Sequence, residues 1–256
     1  MVDMAIAAGA TRIAEALKTH GQAVFFGGAG VSTESGIPDF RSEKGLYAAQ
    51  EVYGHRPEEL LSYDMFIQEP TLFFRYYTEN LIDLKARPNP AHVAVAELEK
   101  RGLITAVVTQ NIDGLHQMAG SQNVIELHGS NWRPYCVKCG TKYTLEWFLD
   151  HNNWKNGVPR CERDDGIVRP DVVLYGEALS DAAMSKAAQA IARAKVLIVA
   201  GTSLAVYPAA GLVRLFGGDD LIVINLDPTD LDQHADILVA QPVGQVMAQV
   251  VRLLGD

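Results

Sequence analysis

Short apolar runs at 23–26, 104–109, 124–127, 196–200, 221–225 and 237–239 decide the architecture open to this chain. Most of them are continuous rather than alternating, as in strands covered on both faces inside a parallel sheet. Stretches with helical spacing fill the intervals. Residues 3–19 put Ile6, Ala10, Ile13, Ala14 and Leu17 on one stripe, and further helices are read at 90–100, 181–194, 208–216 and 243–254. This alternation predicts an open, doubly wound α/β sheet. At 256 residues and 48% hydrophobic content, the chain can build that core and a smaller lobe beside it.

Two segments break the alternation. Residues 42–87 hold no clear strand and are rich in aromatics, among them Tyr47, Tyr53, Phe66, Phe73, Phe74, Tyr76 and Tyr77, and read as a helical insertion. Residues 131–168 hold all three cysteines. The expected division assigns 1–41, 88–130 and 169–256 to the sheet domain, and 42–87 with 131–168 to the small lobe. Cys136-x-x-Cys139 followed by Cys161-x-x-Asp164 resembles a zinc ribbon with one ligand changed, since paired tight turns can grip one tetrahedral ion. Asp165 competes with Asp164 for the fourth place, and a decayed cluster of packed thiols is the plainer alternative. No His-Glu apparatus surrounds the cluster, so its role is structural.

A net charge of −9 argues against a general affinity for nucleic acid, which needs a basic face. The first residues, Met1-Val2-Asp3-Met4-Ala5, lack the basic flank and apolar core of a signal peptide, and no apolar run approaches a membrane span. An odd number of cysteines, two in a C-x-x-C, does not form a disulfide framework. The expectation is a cytoplasmic protein with no membrane partner.

Polar chemistry collects where the apolar runs end. After 23–26 the chain reads Gly27-Gly28-Ala29-Gly30-Val31-Ser32-Thr33-Glu34-Ser35-Gly36-Ile37-Pro38-Asp39-Phe40-Arg41. Glycines followed by Ser32 as a helix cap would bring backbone N–H groups up to a phosphate. Thr109-Gln110-Asn111-Ile112-Asp113-Gly114-Leu115-His116 follows the next run, with amides and a carboxylate suited to a carboxamide or a sugar, or simply to capping a turn. His128 in Glu126-Leu127-His128-Gly129 is a candidate general base, because an imidazole exchanges protons near neutrality. His116, His151 and His234 receive a structural reading. Gly201-Thr202-Ser203-Leu204 and Ile224-Asn225-Leu226-Asp227 end two more runs and suit phosphate or ribose. In doubly wound sheets such ends face one ligand crevice.

Together with Arg169-Pro170-Asp171-Val172-Val173-Leu174-Tyr175-Gly176-Glu177, these motifs resemble the sirtuin family of NAD-dependent protein lysine deacylases over nearly the whole chain. The resemblance implies a Rossmann-like sheet domain with a smaller lobe made of a zinc ribbon and a helical insertion, and NAD and zinc as cofactors. It implies NAD contacts from Gly28, Ala29, Gly30, Thr33, Phe40, Arg41 and Gln110, a nicotinamide pocket of Asn111, Ile112 and Asp113, and His128 as base. Gly201, Thr202, Ser203, Asn225, Leu226, Asp236 and Ile237 would surround the rest of the cofactor. An acetyl-lysine peptide would add a strand between Val173, Leu174, Tyr175 and Gly176 on one side and Leu204 to Val206 on the other. The implied reaction releases nicotinamide, free lysine and O-acetyl-ADP-ribose. Three positions depart from the family: Gly27 replaces a frequent threonine, Tyr175 the usual phenylalanine, and Asp164 the fourth cysteine. Longer-acyl members carry a Tyr-x-x-Arg, whereas Phe74-Arg75-Tyr76-Tyr77 stands at the matching place and favours acetyl and other neutral groups. A protein mono-ADP-ribosyltransferase or a non-catalytic NAD-sensing module are the competing expectations.

Overall fold

The computed structural model describes residues 2–38 and 49–255. Helix α1 (Val2–His20) leads into β1 (Ala23–Gly27), and β2 (Ile104–Thr109) and β3 (Val124–Glu126) continue the sheet on one side. On the other side lie β8 (Val196–Ala200), β9 (Asp220–Ile224) and β10 (Ile237–Val239). The order is β10-β9-β8-β1-β2-β3, and every pairing is parallel. Chain direction across the sheet reverses between β1 and β8, so a crevice opens at their carboxyl ends.

Helices cover both faces. Ile13 and Leu17 of α1, Val95 and Leu98 of α5 (Pro90–Lys100), and Val246 and Val250 of α9 (Val243–Leu254) pack beneath Phe25 and Ile198. The opposite face meets Ala187 and Ile191 of α8 (Asp181–Arg193). Start signals are local: Asn89 and Ser180 accept N–H groups from Ala91 and Ala183 at the first turns of α5 and α8. The expected helix at 208–216 is instead a 3-10 segment, Ala209–Leu215. Gly211 weakens an α-helical turn there, and the tighter winding buries Ala209, Leu212 and Val213 against the sheet.

The small lobe has one aromatic core. Helical residues 49–53, α2 (Pro57–Leu60), α3 (Tyr63–Gln68) and α4 (Pro70–Asn80) contribute Leu60, Phe66, Phe73, Phe74 and Tyr77. The ribbon, with β4 (Gly129–Cys136), α7 (Leu145–Leu149), β5 (Trp154–Lys155), β6 (Val158–Pro159) and β7 (Val168–Val172), adds Cys136, Phe148, Cys161 and Val168 to the same cluster. Antiparallel β4 and β7 run from the sheet's crevice to the cysteines, starting at the pair Gly129 and Val172. Gly129 has φ +80°, and a Cβ there would lie 1.9 Å from the Asp171 carbonyl oxygen, so only glycine fits. Buried Arg169 makes two 2.8 Å bonds to the Glu177 carboxylate, which also accepts the Leu174 N–H. That pair pins β7 to the turn at 173–177.

Short helix α6 (Leu115–Ala119) buries His116 against His92 of α5, with ring centroids 4.8 Å apart and edge to face. Burial holds the His92 pKa down to about 4 and that of His116 to about 3, the latter helped by its neighbour. The unfolded chain takes up these protons below pH ~6.5, whereas the folded chain refuses them. Stability from this pair is therefore complete above pH ~6.5 and declines as pH falls toward 4, by roughly 1.4 kcal/mol per unit for each ring. Urea midpoints between pH 7 and 5 check this, with His116→Leu expected to flatten the dependence. An equally steep dependence in the variant would assign it to carboxylates instead.

Candidate active site and metal centre

The loops after β1 and β8 meet backbone to backbone. Gly28 and Gly30 donate to the carbonyls of Ala200 and Gly201, at 3.1 and 2.8 Å. A Cβ on Gly30 would lie 2.8 Å from Gly201 Cα, and one on Gly28 the same distance from the Gly201 oxygen. The glycines thus first serve this close approach. Ser32 stands at the cap position between the 3-10 turns Ala29–Val31 and Thr33–Ser35, but its side chain does not make the cap bond expected from sequence. Its buried hydroxyl donates to Asp113 at 2.6 Å. Exposed Thr33 bonds the Gly30 carbonyl, while Phe40 and Arg41 lie outside the described residues.

At the end of β2, each polar side chain is tied down. Gln110 donates from Nε2 to Thr202 Oγ1 at 3.0 Å, and its N–H meets the Gly27 carbonyl. Asn111 Nδ2 donates to the Gly28 carbonyl and to Ser32 Oγ. Asp113 accepts from Ser32 and from the Leu115 N–H, and its carbonyl takes the Trp132 indole N–H at 2.7 Å. Burial raises the pKa of Asp113, and the Ser32 and Leu115 bonds oppose that rise. His128 Nδ1 lies 2.8 Å from the Gln110 carbonyl oxygen. A carbonyl can only accept, so Nδ1 carries the proton and the neutral ring keeps its lone pair on Nε2.

A cavity of about 280 Å³ joins these groups. Ala29, Gln110, Asn111, Ile112, Asp113 and His128 line it together with Val173, Leu174, Tyr175, Gly176 and Val206. Leu61 accepts the Tyr175 N–H, and the Tyr175 carbonyl accepts from Tyr63, so α2, α3 and the 173–176 wall are stitched together.

Other expected residues stand elsewhere. Asn225 clamps Thr202, accepting its N–H and donating to its carbonyl, both at 2.9 Å. Gly201, Ser203 and exposed Leu226 share that edge of the sheet. Leu204 packs on the core at the α8 face of the sheet rather than lining the cavity, so it is withdrawn from the peptide wall. Asp236 and Ile237 are corrected as well. They sit at the amino end of β10, where Asp236 binds the Leu221 N–H and Ile237 is core, whereas the crevice lies at the carboxyl ends. Register pairs Val239 with Ile224, so Ala240 and Gln241 are the residues that emerge beside Asn225. The strand-end rule already applied to the other runs would have found them. Sequence reading also missed Glu34, whose Oε1 accepts the Gly244 N–H at the start of α9, and the Trp132 bond to Asp113.

In the ribbon, the ligand atoms of Cys136, Cys139, Cys161 and Asp164 all lie within 4.8 Å of one another. Asp165 points away to Lys155 at 2.5 Å, which settles the competition in favour of Asp164. The Gly166 N–H, foremost, and the Cys161 thiol hold Asp164 at about 2. Burial pushes Cys136 up to about 11, while Thr141 pulls Cys139 down. A Cβ on Gly166 would come 2.7 Å from Cys136 Sγ, so this turn closes only with glycine. Tyr143 donates to Cys161 Sγ at 3.1 Å and stacks on Trp147. Three sulfurs and a carboxylate, converging and braced from outside, fit a structural zinc ion.

The family model for the Sir2 family matches residues 28–208. The chain belongs to the Sir2 family. An NAD-dependent protein deacetylase of Clostridium acetobutylicum is 50% identical over 228 residues, covering 89% of this chain and 92% of that relative. A solved Sir2–p53 peptide–NAD+ complex is 40% identical with a TM-score of 0.84, covering 95% of this chain and 98% of that one. A structure of Sir2Tm bound to a propionylated peptide is 38% identical with a TM-score of 0.83, covering 96% and 98%. The six-stranded parallel sheet and the cysteine-bearing lobe of this Sir2 chain bear out the fold expected from its sequence. Among the described residues no helix is long and apolar enough to cross a membrane.

Proposed function

We propose that this chain is an NAD-dependent protein lysine deacetylase that removes acetyl and other short neutral acyl groups. One observation carries the reading: His128, its tautomer set by the Gln110 carbonyl, opens on the cavity lined by Asn111, Asp113 and the 173–176 wall. NAD, when bound, supplies an electrophilic ribose carbon whose leaving group is nicotinamide. His128 Nε2 takes a proton from a ribose hydroxyl, and Nδ1–H on the carbonyl keeps the ring oriented as it charges. Asn111 and Asp113 hold the carboxamide, with Ser32 fixing both side chains. Gly28, Ala29, Gly30 and Gln110 border the nicotinamide half, and Gly201 to Ser203 with Asn225 and Leu226 the adenosine half. Val173 to Gly176 and Val206 receive the acetyl-lysine peptide. Cys136, Cys139, Cys161 and Asp164 hold zinc to brace the lobe. Three cysteines outside any disulfide support a cytoplasmic location.

Nicotinamide release, measured with and without acetylated peptide alongside mass analysis of the peptide, tests the assignment. Release that depends on acetyl-lysine and yields free lysine supports deacetylation. A mass gain on the protein substrate would mean ADP-ribosyl transfer, and no release at all would leave a sensing module.

Acyl choice follows from charge. Phe74 is sealed in the lobe core, Tyr77 donates its hydroxyl to Asn131, and Arg75 faces solvent beside Glu79. On the cavity wall, Arg87 is exposed and ties Nη1 to the Leu84 and Ala86 carbonyls. Among the described residues, a buried distal carboxylate would find no committed cation on this wall. Acetyl-lysine peptide is therefore expected to exceed succinyl-lysine peptide in kcat/KM by at least about tenfold. Equal turnover of the two would show that Arg87 swings into the cavity.

A further inference from the structure

Asn131 stands three residues beyond His128, almost wholly buried, and hydrogen-bonds three residues from two other stretches of chain. Its backbone N–H bonds the Ile112 carbonyl at 3.0 Å, its Nδ2 donates to the Leu81 carbonyl at 2.8 Å, and its Oδ1 accepts the Tyr77 hydroxyl at 2.6 Å. All four residues line the cavity that His128 opens on. Ile112 belongs to the polar loop after β2, Tyr77 to α4, and Leu81 to the segment that leaves α4. Tyr77 is enclosed by apolar neighbours, and burial pushes its ionisation well above the usual range, so its hydroxyl stays a donor. Without the Asn131 carbonyl that donor would be buried and unpaired. Asn131 thereby joins the small lobe to the loop that carries Asn111 and Asp113.

We propose that Asn131 is a positioning residue: its amide, through Tyr77 and Leu81, fixes the cavity wall facing Ile112 and so matches the cavity to a two-carbon acyl group. The proposal rests on the deacylase reading above. If the tie is cut, the Tyr77 ring and the segment at Leu81 relax outward, and an acetyl group sits loosely against His128. An acyl chain longer by two methylenes refills the space and recovers its alignment.

The test compares kcat/KM for acetyl-lysine and butyryl-lysine peptides in the full chain, in Tyr77→Phe, in Asn131→Leu and in the double variant, with melting temperatures alongside. Each single variant is expected to lose about tenfold on acetyl and less than about threefold on butyryl. The double variant should match the singles, because the two side chains act as one unit. An acetyl-to-butyryl ratio unchanged within about twofold, or losses that fall equally on both peptides with a lowered melting temperature, would reduce Asn131 to a packing role and overturn the proposal. Wild-type protein that turns over neither peptide would overturn the deacylase reading and this one together, whereas active wild type with an unmoved ratio overturns this one alone.

Discussion

His128→Ala is expected to lower deacetylation by about 10²–10⁴-fold while leaving the fold and NAD binding in place. The ring is half-buried at the cavity wall, and its bond to Gln110 uses a carbonyl that water can satisfy after truncation. The structural tie at this position comes from backbone instead: the Val173 N–H bonds the His128 carbonyl, which alanine keeps. The rate loss should consequently appear in kcat, with little change in melting temperature or in calorimetric NAD affinity. His116 and His92 cannot substitute, since both are buried beneath the sheet and held neutral. Turnover within about threefold of wild type would take His128 out of the chemistry.

Removing zinc is expected to dismantle the small lobe and, through it, the peptide wall. Cys136 and Cys161 belong to the same buried cluster as Phe66, Phe74 and Phe148, so ligand order and core order are one equilibrium. Structural zinc contributes on the order of 10 kcal/mol in isolated ribbons and fingers, far more than this lobe can lose. Protein purified without chelator should hold one zinc per chain. The Tyr143–Trp147 stack, one hydrogen bond from Cys161, should report its loss as a change in tryptophan fluorescence. Asp164→Cys should slow that loss, because a fourth thiolate suits a borderline-soft ion, and Asp164→Ala should speed it. Fully active protein with almost no zinc would mean that aromatic packing alone holds the lobe.

Sequence reading reached the sheet because its cues are local. The helices at 90–100 and 243–254 and the strand at 237–239 match the structure to the residue, each set by apolar spacing next to a proline or a cap. Strand ends moved by a residue where a small or polar side chain carries no pattern, as at Gly27 and Asn225. What escaped depends on partners far along the chain. Nothing near Ser32 shows that it will bond Asp113 rather than cap a turn, and nothing near Asn225 shows that both ends of its amide go to Thr202. Asp236 is assigned through the family resemblance alone, and its place before β10 puts it at the amino end of the sheet, away from the crevice.

The hydrogen bond from the Gly244 N–H to Glu34 couples the last helix to the turn after β1. Pro242 leaves α9 without a side-chain cap, and a carboxylate from the turn beside the cofactor crevice accepts its leading N–H at 2.8 Å. Two segments some 210 positions apart in the chain thus share one ion–dipole contact. Linkage is reciprocal, so whatever orders the Thr33–Ser35 turn must also tighten the first turn of the last helix, by the same free energy in each direction. Fraying of that helix accordingly loosens the Thr33–Ser35 turn, although no residue of α9 lines the cavity.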